Sequence, residues 1–350
     1  MTAVLDERAS VSLDTYVVDI AWSADSNAFA VAGGEGGVVV VDDVLAKPRV
    51  RVLGEHAMGA IAVSWRPGSS TVASSGQDSA VVLWDVTATG DAAATKRLRP
   101  GMGWTERIAY SPDGKLLATA TGKVLSLWSD TGELVHKFEP HDANIAALAW
   151  DKPGRDLAAA TQGAICVHRI EPPNFGLRRY AWPAACLTAA FSANGKFLVT
   201  GTQDGTVHFW NLVTGKDSQM RGYASKVLLT EWSANSRYLA TAAANDVVIW
   251  DFGGKGPEGT KPLELRGHTD RVSALAFQPN GGYLVSAGRD WRVSLWQPGK
   301  ETVAVDAHLA GGEITAVRWS PDGKRLAVGE SKGRTTIYEL VERAAFAKKR

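Results

Sequence analysis

Cysteine is nearly absent: Cys166 and Cys186 are the only two in 350 residues, which excludes a disulfide-built scaffold. Both read as small buried hydrophobes. No run of about eighteen apolar residues occurs, so no helix is expected to span a membrane. Segments with the apolar period of an amphipathic helix are also missing. Charge of one sign is scarce as well, with 38 Lys and Arg against 37 Asp and Glu and a net of +1. Nothing draws the surface as a whole toward nucleic acid or an anionic bilayer. The longest basic run, Lys348-Lys349-Arg350, reads as a solvated end. Residues Met1 to Arg8 show no apolar segment behind a basic start, and the expected compartment is the cytoplasm.

Glycine and tryptophan, by contrast, are plentiful at 36 and 13 residues, and they recur on a period. An apolar strand ending in an aromatic is followed by a Pro/Asp/Asn/Gly turn, a Leu-Ala-Thr/Ser strand, a second turn, and a strand ending in Trp. The first aromatics are Trp22, Trp65, Tyr110, Trp150, Phe191, Trp232, Phe277 and Trp319, at steps of 40 to 45 residues. That is the period of a four-stranded propeller blade. Such a sheet cannot bury both faces alone, so the repeats must stack, and a closed ring does this while leaving only short edges. The fold class is therefore all-β, a β-propeller of eight blades, or of seven if repeat 1 (ending Val41-Asp42) or repeat 8 (ending Tyr338) is too degenerate. The Ser-Pro-Asp-Gly turns at 111–114 and 320–323 join the first two strands of their repeats, a and b. Proline presets the first corner and glycine accepts positive φ. Fourth strands (d) are expected at Arg49–Leu53, Leu134–Phe138, Lys261–Leu265 and Val303–Asp306. No such strand follows Tyr338, and Ala9–Leu13 is expected to fill the gap and clasp the ring. One domain over residues 9–340 results, with 341–350 as a short tail.

These residues resemble the WD-repeat β-propeller family, whose units begin with Gly-His and end with Trp-Asp. Trp84-Asp85 and Trp250-Asp251 are literal copies, Trp210-Asn211 is a near one, and Gly267-His268 is the best start. The resemblance implies a buried hydrogen-bonded tetrad in each intact blade. Two complete sets match, His56, Ser74, Asp78, Trp84 and His268, Ser286, Asp290, Trp296, with identical internal spacing. These histidines read as structural, since a buried indole, hydroxyl and imidazole each need a partner. The other blades depart from the pattern: Trp182 stands where a histidine belongs, and repeat 4 keeps His141 without a turn aspartate.

Evidence for catalysis or cofactors is thin. His56, His141, His268 and His308 fall in separate repeats, too far apart to share an ion, and neither His-Glu-x-x-His nor Cys-x-x-Cys occurs. The glycines of 33–37 sit in a turn between strands with no following helix, as do those of 253–261, so neither cradles phosphate. A Gly-x-Ser-x-Gly elbow is missing. Glu106, Asp142, Asn144 and Glu313 are oxygen donors near one end of the axis and read as loop residues. The expectation is a non-enzymatic scaffold without cofactor or metal, a monomeric propeller within a complex. Its partner is a protein or peptide rather than nucleic acid or membrane. The resemblance further implies that partners lie across the top face, and its contact positions fall on Tyr16, Trp104, Glu106, Lys226, Arg271, Arg289 and Glu313. Trp291 lies beside them, and Tyr16, Trp104, Arg271, Arg289 and Trp291 carry the anchoring chemistry of aromatic rings and guanidinium groups. The rival is a propeller enzyme or small-molecule sensor with its site at the axial mouth.

Overall fold

A computed structural model describes residues 2–88, 93–172, 174–254, 256–299 and 302–343. The strands gather into eight antiparallel sheets, each built from neighbouring stretches of chain except the last. Blade 2 shows the plan: strands a to d are Ala60–Trp65, Thr71–Gly76, Val81–Asp85 and Ala94–Leu98, paired in that order. Blade 4 looks three-stranded because its b and c strands run as one segment, Asp156–Glu171. That segment doubles back at Gln162-Gly163, where Gly163 has φ 83°, and the amide of Ile170 returns to the carbonyl of Arg155 at 2.7 Å. The architecture is thus eight four-stranded blades.

The eight a strands form the inner wall, each packed against the next, and Ile314–Trp319 of blade 8 touches both Val272–Phe277 and Val17–Trp22. Crowding at the axis selects small side chains. The residue before each strand-a aromatic is Ala21, Ser64, Ala109, Ala149, Ala190 and Ala276 in six blades, with Glu231 and Arg318 as the exceptions. Arg318 meets Asp19 of blade 1 at 2.9 Å. Indoles tie neighbouring blades: Trp22, Trp150 and Trp319 each donate Nε1–H to a backbone carbonyl of the preceding blade, at 2.9, 3.1 and 3.1 Å. The buried clusters likewise straddle adjacent blades, one joining blades 7 and 8 and another blades 8 and 1. The interior is a ring of inter-blade layers rather than one central core.

The N-terminal strand completes blade 8, as the missing fourth strand requires, and it is longer than Ala9–Leu13. Thr2–Ser12 pairs antiparallel with Arg334–Arg343, with Leu5 opposite Leu340 and Val11 opposite Thr335. The last blade therefore reaches beyond 9–340 at both ends. Charged residues that break the apolar alternation hid this strand, yet they pair across it. Asp6 meets Arg343 at 2.9 Å, Glu7 meets Arg334 at 3.0 Å and Arg8 meets Glu339. Ala3 and Leu5 turn inward and are buried in the blade 7–8 layer. Residues 344–350, with the terminal basic run, lie outside the described residues. Strand d of blade 7 is also displaced, to Asp306–Leu309 rather than Val303–Asp306. His308 consequently sits on that strand, 2.9 Å from Asp306.

Candidate functional site

Loops between d and a strands and turns between b and c strands share one end of the disc, here called the top. Beneath that end lies the frame. In blade 2, His56 places Nε2 2.7 Å from Ser74 Oγ and Nδ1 2.9 Å from Asp78, and Trp84 donates Nε1–H to the same Ser74 oxygen at 2.7 Å. Blade 7 repeats this with His268, Ser286, Asp290 and Trp296 at 2.7 to 3.0 Å. Burial lowers the pKa of His56, and the facing Asp78 opposes it only partly. For Asp78, burial is the largest influence and pushes upward. The bonds and charge from His56, the Ala80 amide and Arg97 outweigh it, leaving the carboxyl below its ordinary value. A neutral imidazole thus faces a carboxylate in blade 2.

Blade 6 carries a substitute that the spacing already encoded. Tyr223 lies nine residues before Trp232, as His56 lies nine before Trp65. Its hydroxyl sits 2.6 Å from Thr241 Oγ1 and accepts Trp250 Nε1–H at 2.7 Å. In blade 5 the corresponding Trp182 stacks on His208 with centroids 3.8 Å apart, replacing hydrogen bonds by ring contact. Blade 3 keeps only the Trp128 to Thr119 bond, at 3.0 Å. Blade 8 has no loop histidine, and the buried Glu330 stands where blade 7 has Gly288, its carboxyl beside Gly311.

Blade 4 differs from all of these. His141 is nine residues before Trp150, but Ala159 takes the serine position and the turn has no aspartate. The bond from Ile170 to Arg155 matches the one from Val86 to Ser70 in blade 2, which aligns His168 with Trp84. The two histidines meet with Nε2 atoms 3.3 Å apart. Burial lowers the pKa of both, and for His168 the neighbouring His141 and His136 add to this, down to about 3.

On the top surface the expected residues divide. Arg289 and Glu313 pair with each other at 3.1 Å. Lys226 and Arg271 line one cleft of about 350 Å³ between blades 6 and 7, with Asn245 and Asp270. Trp291 stands in a left-handed turn, φ 65°, matching Ser79 in blade 2, and Lys332 Nζ approaches its ring centroid to 5.5 Å. The Tyr16 ring lies against Gly34, where an added Cβ would fall 1.9 Å from it. Glu106 is half-buried beside the exposed Trp104. Composition-based reasoning passed over Met58 and Met102, which lie in the d–a loops that open blades 2 and 3. With Tyr16, Trp104 and Trp291 they are 45 to 98 % exposed, and the five lie on the rim of blades 7, 1, 2 and 3, with none of them on blade 8. Other exposed apolar side chains, such as Val52, Leu134, Leu177 and Leu309, lie on outer d strands. Among the described residues, no three His, Cys, Asp or Glu side chains gather as they stand around one point as metal ligands. No helix there is long and apolar enough to cross a membrane.

A closed ring of eight blades, two of them pinned by complete His-Ser-Asp-Trp networks, defines a repeat-built β-propeller with a loop-bearing face. The family model described as "WD domain, G-beta repeat" matches residues 47–85, 181–211, 259–297 and 299–338. The chain belongs to the WD-repeat family. It is similar to "Anaphase-promoting complex subunit cdc20" of Dictyostelium discoideum, 25% identical over 295 residues, covering 81% of this chain and 49% of that protein. "Cell division cycle 20.6, cofactor of APC complex" of Arabidopsis thaliana is 27% identical over 295 residues, covering 80% and 57%. "Meiotic fizzy-related protein 1" of Schizosaccharomyces pombe is 24% identical over 290 residues, covering 81% and 57%. The chain spans about half the length of these relatives.

Proposed function

We propose that the protein is a non-catalytic cytoplasmic scaffold that binds a protein or peptide across the top rim of its propeller. The observation that carries this reading is the arc Trp291, Tyr16, Met58, Met102 and Trp104. Large apolar side chains exposed together on one rim mark a place that another molecule covers. Aromatic rings and Arg anchor such contacts because they bury area and make directed bonds, and methionine adapts to irregular surfaces. Charges of both signs flank the arc, in Arg289 with Glu313 and in Arg271 with Asp270, and this suits a polypeptide better than a polyanion. The relatives' names make those proteins a subunit and a cofactor of a larger complex, which favours an adaptor role here too.

The test is affinity purification with wild type, an Arg271→Ala/Arg289→Ala variant and a Trp104→Ala/Trp291→Ala variant, each checked for an unchanged melting curve. Partners recovered with wild type should be lost or depleted with the tryptophan variant and weakened with the arginine one. Recovery of every partner equally by all three overturns the top-rim assignment.

A further inference from the structure

Blade 4 retains a tetrad histidine while lacking all of its usual partners, and the space freed by exchanging an indole for an imidazole opens onto a cavity of about 440 Å³. His141, His168 and Cys166 all line it. We propose that this altered tetrad binds a divalent transition-metal ion of the zinc type through His141 Nε2, His168 Nε2 and the Cys166 thiolate.

The separation of the two nitrogens is the first support. Two imidazole nitrogens on one tetrahedral zinc ion, each about 2.0–2.1 Å from it, lie roughly 3.3–3.4 Å apart. The two Nε2 atoms stand at 3.3 Å, longer than an ordinary nitrogen-donated hydrogen bond of about 2.9–3.0 Å. Cys166 supplies the second support. Positions 166 and 168 alternate on one strand, which places both side chains on the same face with Cα atoms about 6.7 Å apart. Rotation of the Cys166 side chain toward the imidazole pair brings in the third donor, and water takes the fourth place. Binding displaces the thiol proton to solvent, since the thiolate is the ligand. Two imidazoles and a thiolate favour zinc, cobalt or copper over magnesium or calcium. Of the two imidazoles, that of His168 is already oriented. The Phe138 ring packs on His168 with centroids 4.3 Å apart, and Phe175 with the stacked His136 forms the wall behind it.

Isothermal titration of the chelator-stripped full chain with Zn²⁺, paired with Co²⁺ absorption spectroscopy, tests the site. One ion should bind per chain and raise the melting temperature, as any ligand selective for the folded state does. His141→Ala and His168→Ala should each weaken Zn²⁺ binding at least about tenfold, the loss that an outer partner alone can bring. Cys166→Ser should remove the near-ultraviolet thiolate-to-cobalt charge-transfer band while cobalt's visible bands persist. His141 lies in a loop, so His141→Ala keeps the fold and decides the matter even if His168→Ala does not fold. The proposal is overturned if wild type shows no saturable binding. It is equally overturned if His141→Ala binds as wild type does, or if Cys166→Ser leaves the charge-transfer band in place.

Discussion

Replacing Leu5 by alanine tests ring closure through a single side chain. Leu5 is 2% exposed and packs in the layer shared by blades 7 and 8, and its amide donates to Asp306 Oδ2 at 2.7 Å. Removing a buried leucine side chain costs the lost transfer energy plus the cavity left behind, about 2–5 kcal/mol. That is a large fraction of the roughly 5–15 kcal/mol by which a domain is stable. Asp6, its neighbour, points outward to Arg343, and Asp6→Ala should change stability by no more than about 1 kcal/mol, as exposed ion pairs do. Urea unfolding followed by tryptophan fluorescence should therefore separate the two variants clearly. Deleting residues 2–12 goes further, because Arg334–Arg343 then becomes an open edge strand with ten unpaired register positions. Such edges recruit other chains, so light scattering should show association. If Leu5→Ala unfolds at the wild-type urea concentration and the deletion stays monomeric with an unchanged melting curve, the clasp does not close the ring.

Ser286→Ala should orphan both Trp296 Nε1–H and His268 Nε2 in blade 7, at about 1–3 kcal/mol for each buried group, read by thermal or urea denaturation. Tyr223→Phe should cost about 1–3 kcal/mol in blade 6 by leaving Trp250 Nε1–H without its acceptor, and a neutral result removes Tyr223 from the frame. Burial at the axis pushes the Glu231 carboxyl up to about 7, against the opposing Arg318 charge and Phe277 amide. Because the folded state then holds its proton more tightly than the unfolded chain, wild-type stability falls as pH rises from about 4.5 to about 7. Glu231→Gln should exceed wild type by up to about 3 kcal/mol near pH 8 and match it near pH 4.5, with residual water contact in the channel making this an upper bound. A stability gap that does not vary with pH would contradict that sign.

The blades were legible because every repeat had to supply the same strands at the same spacing, and the aromatics from Trp22 to Trp319 mark that spacing directly. Both intact tetrads followed from it, since four residue types at fixed intervals leave little freedom. Less legible were the places where another chemistry fills the same position. Tyr223 and His168 stand at the histidine and tryptophan sites of their blades, but a search by residue type passes over them, and blades 3, 4 and 6 reach strand c one residue sooner. The full clasp escaped because Asp6, Glu7 and Arg8 interrupt the apolar alternation, and only the strand pairing reveals that their charges are met across it. Surface positions were the least legible. Arg289 and Glu313 belong to different blades, and only the fold places them against each other. Met58 and Met102 join the rim because loops from consecutive blades converge there, a proximity that no local stretch of sequence carries.

Hydrogen exchange of the full chain, free and bound to a partner recovered by purification, tests the central claim most directly. The account predicts added protection in the d–a loops around Tyr16, Met58 and Trp104 and in the b–c turn at Trp291. Protection confined to outer d strands such as Arg49–Glu55, or to the a–b turns at the opposite end of the disc, would contradict it.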